Sequence, residues 1–158
     1  MARPFQGGTM ANVEAISSAT TLSKADSNKV IVVDASTGFT LTLPACQKGL
    51  EYKILFKVGG TDAAMKIAVT AGDAFFGRVQ VQDNNTDNQT AMQVVTYATA
   101  TGSPGSYDVM TFDGDATTSG CAAGDIVELV AIDDAAWAVN ALLTTTGTPS
   151  SIAVIAGS

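Results

Sequence analysis

The chain contains no histidine, so the commonest general base and transition-metal ligand is missing, and any chemistry must come from carboxylates and thiols. Two close acidic pairs, Asp113 with Asp115 and Asp133 with Asp134, have the residue types for paired acid and base work of the glycosidase kind. Both pairs fall in stretches that read as turns, where aspartate caps backbone amides, and the structural reading is preferred. The run Asp83-Asn84-Asn85-Thr86-Asp87-Asn88 places oxygen donors as at the start of a calcium loop. Asn88 stands where that loop needs glycine and Val94 where it needs an acid, so the run reads as a solvated loop.

Cys46 and Cys121 are the only cysteines, far apart, without CxxC spacing. They read as two small buried or half-buried thiols, with a single bridge between them left open, because sequence alone does not place their Cα atoms. Trp137, the only tryptophan, has the ring for stacking on a sugar, but its position opposite an alternating Val/Ile strand reads as a core anchor. Gly59-Gly60 and Gly72 fit no phosphate-cradling pattern and read as turns. The expectation is a protein with no catalytic residue, no metal site and no cofactor.

The elements that carry these residues read as strands. Val30-Ile31-Val32-Val33 is a β-branched run after the turn-forming cluster Ala25-Asp26-Ser27-Asn28. Phe39 to Leu43 alternates apolar with threonine and stops at Pro44, and Tyr52 to Val58 sends Tyr52, Ile54, Phe56 and Val58 one way and Lys53 and Lys57 the other. Further strands are expected at Met65–Thr70, Phe75–Gln82, Met92–Ala98 and Tyr107–Phe112, and Ser151–Ile155 reads as either one more strand or a tail. Ile126–Ile132 and Trp137–Leu143 form a hairpin around Asp133-Asp134-Ala135-Ala136. Residues Met1–Thr20 show no strong period and read as an N-terminal arm whose Phe5, Met10, Val13 and Ile16 can dock on a neighbour; Ala11–Ala19 is the one short helix candidate. The fold expected is all-β: a single-domain β-sandwich or barrel, jelly-roll-like, of about nine or ten short strands over residues 21–158, with an extended arm over 1–20.

Length and composition agree. A chain of 158 residues, 46% hydrophobic and 15% charged, fits one domain with a real core and is unlike a disordered chain. Its charge is unevenly spread. All eight basic residues lie at or before Arg78, with six acids, for a net +2; the nine remaining acids follow, for −9. The acidic balance and the absence of a basic stripe argue against nucleic-acid binding. No apolar run approaches a spanning length and the first residues lack a signal-peptide pattern, so a soluble, cytoplasmically made protein is expected.

Three stretches carry a resemblance. Thr21-Leu22-Ser23-Lys24-Ala25-Asp26-Ser27-Asn28-Lys29-Val30 leads into a β run ending at Asp34. Gly38-Phe39-Thr40-Leu41-Thr42-Leu43-Pro44-Ala45 is followed by Gly49-Leu50-Glu51-Tyr52-Lys53-Ile54. Gly124-Asp125-Ile126-Val127-Glu128-Leu129-Val130 is followed by the return strand Trp137-Ala138-Val139. Together they are similar to the capsid decoration (cement) proteins of tailed bacteriophages, and also to domains of phage tail or fibre proteins. The resemblance implies a non-enzymatic virion structural protein on the outer surface of the capsid. It also implies the major capsid protein as partner, a homotrimer, and work done by cross-bridging capsid subunits. Within it the 1–20 arm is expected to grip the capsid, with the lysine-bearing half facing the particle and the acidic half facing solvent. The alternative it leaves is a glycan-binding module of a tail or fibre.

Overall fold

The computed structural model describes residues 12–59, 64–83, 90–95, 107–112, 120, 122–145 and 155–156. The strands in chain order are β1 (Val13–Ile16), β2 (Thr20–Thr21), β3 (Val30–Val33), β4 (Thr40–Thr42), β5 (Glu51–Phe56), β6 (Met65–Ala68), β7 (Ala74–Asp83), β8 (Thr90–Val95), β9 (Val109–Phe112), β10 (Ile126–Ala131), β11 (Ala136–Thr145) and β12 (Ile155–Ala156). They form a seven-stranded sheet in the order β1-β3-β5-β10-β11-β7-β8 and a five-stranded sheet in the order β12-β9-β6-β4-β2. The molecule is an all-β sandwich, as the strand patterns predict.

Alternation explains how each strand presents its apolar side inward. In β5, Tyr52, Ile54 and Phe56 are buried while Glu51 and Lys53 are exposed, the period-two pattern of a half-buried strand. β10 buries Val127, Leu129 and Ala131 in the same way. Between the layers, Phe56 of the larger sheet meets Phe112 of the smaller edge-on, with ring centroids 5.3 Å apart, and Trp137, Phe75, Ile67 and Leu41 fill the same interior.

The strand connections follow an alternating path. From β1 to β7 each successive strand crosses to the opposite layer; β3 returns beside β1, β5 beside β3, β4 beside β2 and β6 beside β4, while β7 returns to the larger sheet beyond β10 and β11. A strand that comes back after one crossing each way runs in its original direction. β1/β3, β3/β5, β2/β4 and β4/β6 are accordingly parallel. β7 and β11 are parallel as well. The other five pairings among the described strands are antiparallel, whereas a jelly roll is assembled from antiparallel Greek keys. The expected hairpin is present: β10 and β11 pair antiparallel with Ala131 opposite Trp137, and the Asp133 carboxylate accepts the Ala135 N–H at 2.9 Å within the turn.

Regular structure starts before the Ala25–Asn28 turn. Val13–Ile16, inside the stretch read as an arm and as a weak helix candidate, is an edge strand paired in parallel with Val30–Val33. Ile16 is buried, and Lys29 reaches Glu14 at 2.7 Å to hold the strand in place. Residues 1–11 of the expected arm lie outside the described residues. One glycine is required by close approach: Gly77 in β7 has φ +133°, and a Cβ there would run into the Val139 carbonyl of the neighbouring β11.

Candidate functional surface

The groups with chemical potential are occupied by structure. The Cys46 N–H donates to Asp73 Oδ2 at 2.8 Å and its thiol donates to the Asp133 carbonyl at 3.2 Å. Burial, followed by the nearby Asp73 charge, pushes the thiol pKa up to about 12. Neutral pH therefore leaves almost no thiolate, the form needed for nucleophilic attack or metal binding. Cys46 is a free thiol, outside any bridge; Cys121 lies outside the described residues. Burial raises the Asp73 pKa while the Cys46 N–H favours its charged form.

Trp137 is fully buried, as predicted, with its ring 5.7 Å from that of Tyr52, which removes it as a sugar-stacking platform. Its indole N–H faces the Asp73 carboxylate closely enough to favour the ionised form, without regular hydrogen-bond geometry.

The carboxylate pair Asp133 and Asp134 divides its work between two backbones. Asp133 caps its own turn, and Asp134 accepts the Lys48 N–H at 3.2 Å, clamping the Ala45–Leu50 loop to the hairpin. Asp113 and Asp115 lie outside the described residues. So does the Asn84–Asn88 part of the calcium-like run, while Asp83 is buried at the end of β7. Buried Asp125 braces β11, accepting the Ala122 N–H at 2.9 Å and the Thr144 N–H at 2.8 Å. Among the described residues no three acidic or thiol side chains are grouped to hold a metal ion.

The turn Asp26-Ser27-Asn28-Lys29, within the first of the three quoted stretches, is structural in each residue. Asp26 accepts the Ser23 N–H, the Ser23 hydroxyl and the Lys29 ammonium, and these, led by Lys29, lower its pKa to about 2. The Ser27 hydroxyl accepts the Glu51 N–H at 3.0 Å, and Asn28 takes φ 65° and donates its N–H to the Glu51 carbonyl. Asparagine tolerates that left-handed backbone better than most residues. Lys29 joins Asp26 and Glu14, tying the turn to β1. This short turn thus locks three strands together.

What remains for recognition is surface. On the outer face of the larger sheet, register aligns Val32, Leu55, Ile126 and Leu142 in one row across four strands. In the next row Lys53 and Glu128 pair at 3.1 Å, and the Asn140 amide donates to Glu128 at 3.3 Å. Lys53 first, and Asn140 second, lower the Glu128 pKa. Leu142 is 56% exposed and Val130 42%. The outer face of the smaller sheet carries Thr40, Lys66 and Thr111 in one row and Thr42, Ala68 and Val109 in the next.

The charge boundary at Arg78 does not become a boundary in space. β10 and β11, from the acidic half, lie between β5 and β7, and Lys53 is matched by Glu128, Lys57 by Asp34. Among the described strands the two halves therefore interleave; Asp87, Asp113 and Asp115, in the loops expected to face solvent, lie outside the described residues. Sequence reasoning also missed the apolar outer row, whose only local signal is strand runs apolar on both sides, such as Val30-Ile31-Val32-Val33. Comparison with family models, with curated proteins and with solved structures gives no match.

Proposed function

We propose that this protein is a virion structural protein: a capsid decoration (cement) protein that binds the outer capsid surface and stabilises contacts between major capsid subunits. One observation carries the reading beyond the resemblance. The titratable groups described in the fold brace turns and strands, while the larger sheet leaves an apolar row, Val32, Leu55, Ile126 and Leu142, on its outer face beside the Lys53–Glu128 pair. Such a molecule acts by burying surface against a partner, not by turning over a substrate. Cement function needs no more than a rigid scaffold with surfaces to bury, and the tightly bonded Ser23–Lys29 turn supplies rigidity at the start of the domain.

In this reading the protein is made in the host cytoplasm and seats on assembled capsids. The trimer implied by the resemblance places three feet on the particle together, so modest contacts gain avidity. The test mixes purified protein with undecorated capsids of the same virus and pellets the particles. Saturable co-sedimentation and a higher temperature of capsid rupture are expected. Protein that stays in the supernatant at all concentrations overturns the reading.

A further inference from the structure

The row register of the larger sheet has a second consequence, which concerns the same outer face in the protein free of capsids. We infer that the outer face of this sheet packs against the same face of a second copy of the chain, about a two-fold axis running along the strands between β5 and β10.

The argument is one of self-complementarity. Two sheets stacked face to face align their strands to within about 30°. A two-fold lying between β5 and β10 sets each position of one against its register partner on the other, and β3 against β11 likewise. Lys53 and Glu128 are register partners across β5 and β10, so each Lys53 meets the other copy's Glu128 and four charges alternate in sign. Leu55 and Ile126 are also register partners, so they meet apolar to apolar. Val32 and Leu142 lie one strand further out in the same row and meet in the same way. Axes displaced by one strand lose this match: about an axis between β10 and β11, Glu128 meets Asn140 and Lys53 meets Arg78. The pairing thus covers Leu142, the most exposed of these side chains at 56%, and sets Lys53 opposite Glu128, while Glu51, the register partner of Val130, falls at the edge of the contact.

The footprint over four strands is roughly 20 Å by 20 Å from strand spacing and rise, below the ~800 Å² per partner of a standard interface. The contact is therefore weak and concentration-dependent. Being two-fold, it does not close a trimer; where trimers form through other surfaces, it joins them back to back.

The experiment is sedimentation velocity on the full chain without capsids, from about 5 to 200 μM. The wild type is expected to gain mass with concentration, toward twice its limiting value at low concentration. Glu128→Lys places like charges over Lys53 in both copies, and Lys53→Glu does the same with acids, so each variant alone should associate at least tenfold more weakly. An equimolar mixture should recover association, because an all-basic row then faces an all-acidic one. Leu142→Arg provides an independent arm on the apolar row and should also weaken association tenfold or more. Unchanged far-UV circular dichroism and melting temperature show that the variants fold. A wild-type mass independent of concentration, a trimer indifferent to Leu142→Arg, or a charge-swapped mixture that stays apart overturns the pairing. Both readings use this face, so self-association is measured without capsids, and capsid co-sedimentation of the wild type tests the capsid reading separately.

Discussion

The outer faces of the two sheets share a backbone geometry and differ in what their side chains do with water. On the smaller sheet Thr40, Thr42, Thr111 and Lys66 face outward beside Ala68 and Val109; on the larger, a whole row, Val32, Leu55, Ile126 and Leu142, is apolar beside Lys53, Glu128 and Asn140. Valine and threonine have nearly the same shape and both favour strands, so strand propensity does not explain the contrast. Solvation does. A hydroxyl face is finished in water, whereas a leucine left 56% exposed forgoes part of the free energy of burial, about 25 cal/mol per Å² of apolar area. The comparison teaches that strand formation and surface chemistry are separable here, and that the larger sheet carries the surface still available for a partner.

The contrast is sharpened first by what both faces share. Trp137→Ala removes the largest fully buried side chain and should destabilise the fold by roughly 3–5 kcal/mol, read as a shift in the denaturant midpoint. A midpoint equal to the parent would place Trp137 outside the core. Next, Asp125→Ala leaves the Ala122 and Thr144 amides without their acceptor, which should cost about 2–3 kcal/mol by the same readout. A loss below about 0.5 kcal/mol would mean that water replaces the carboxylate.

A pH prediction follows from Asp26. Its pKa is lowered from 3.8 to about 2, so the folded state binds its proton less readily than the unfolded chain. The stabilisation is complete above about pH 4 and is lost as pH falls toward 2. Solvent screening keeps it to about 1 kcal/mol or less. Asp73 works in the opposite sense, because its raised pKa favours the protonated folded state as pH falls. Asp26→Asn should therefore flatten the acid limb of the stability profile; a limb identical to the parent's would assign acid sensitivity elsewhere. The smallest stability effects belong to the outer faces. Val32→Thr and Thr42→Val should each stay within about 0.5 kcal/mol, yet only Val32→Thr should alter association. Equal effects of the two on association would erase the distinction between the faces.

The strands were legible because apolar residues recur every second position, as in Tyr52, Ile54 and Phe56, and the β10–β11 hairpin because Asp133-Asp134 punctuates two such runs. Burial of Trp137 was legible for the same reason. The parallel pairings were not, since alternation reports which side of a strand is buried but not which layer it joins. β1 was missed because only Ile16 of its four residues is buried, too little to register as a period. The charge boundary misled because β10 inserts beside β5, bringing Glu128 to Lys53 from 75 residues away. The apolar outer row was illegible as a row, since its members belong to four strands and meet only through register.

The central claim, that this sandwich is a piece of the virion's outer shell, is tested most directly by a reconstruction of the intact particle. The account predicts density for two packed sheets on the outside of the capsid, contacting more than one major capsid subunit. Density for this chain confined to the tail or its fibres, or its absence from purified particles, would contradict it.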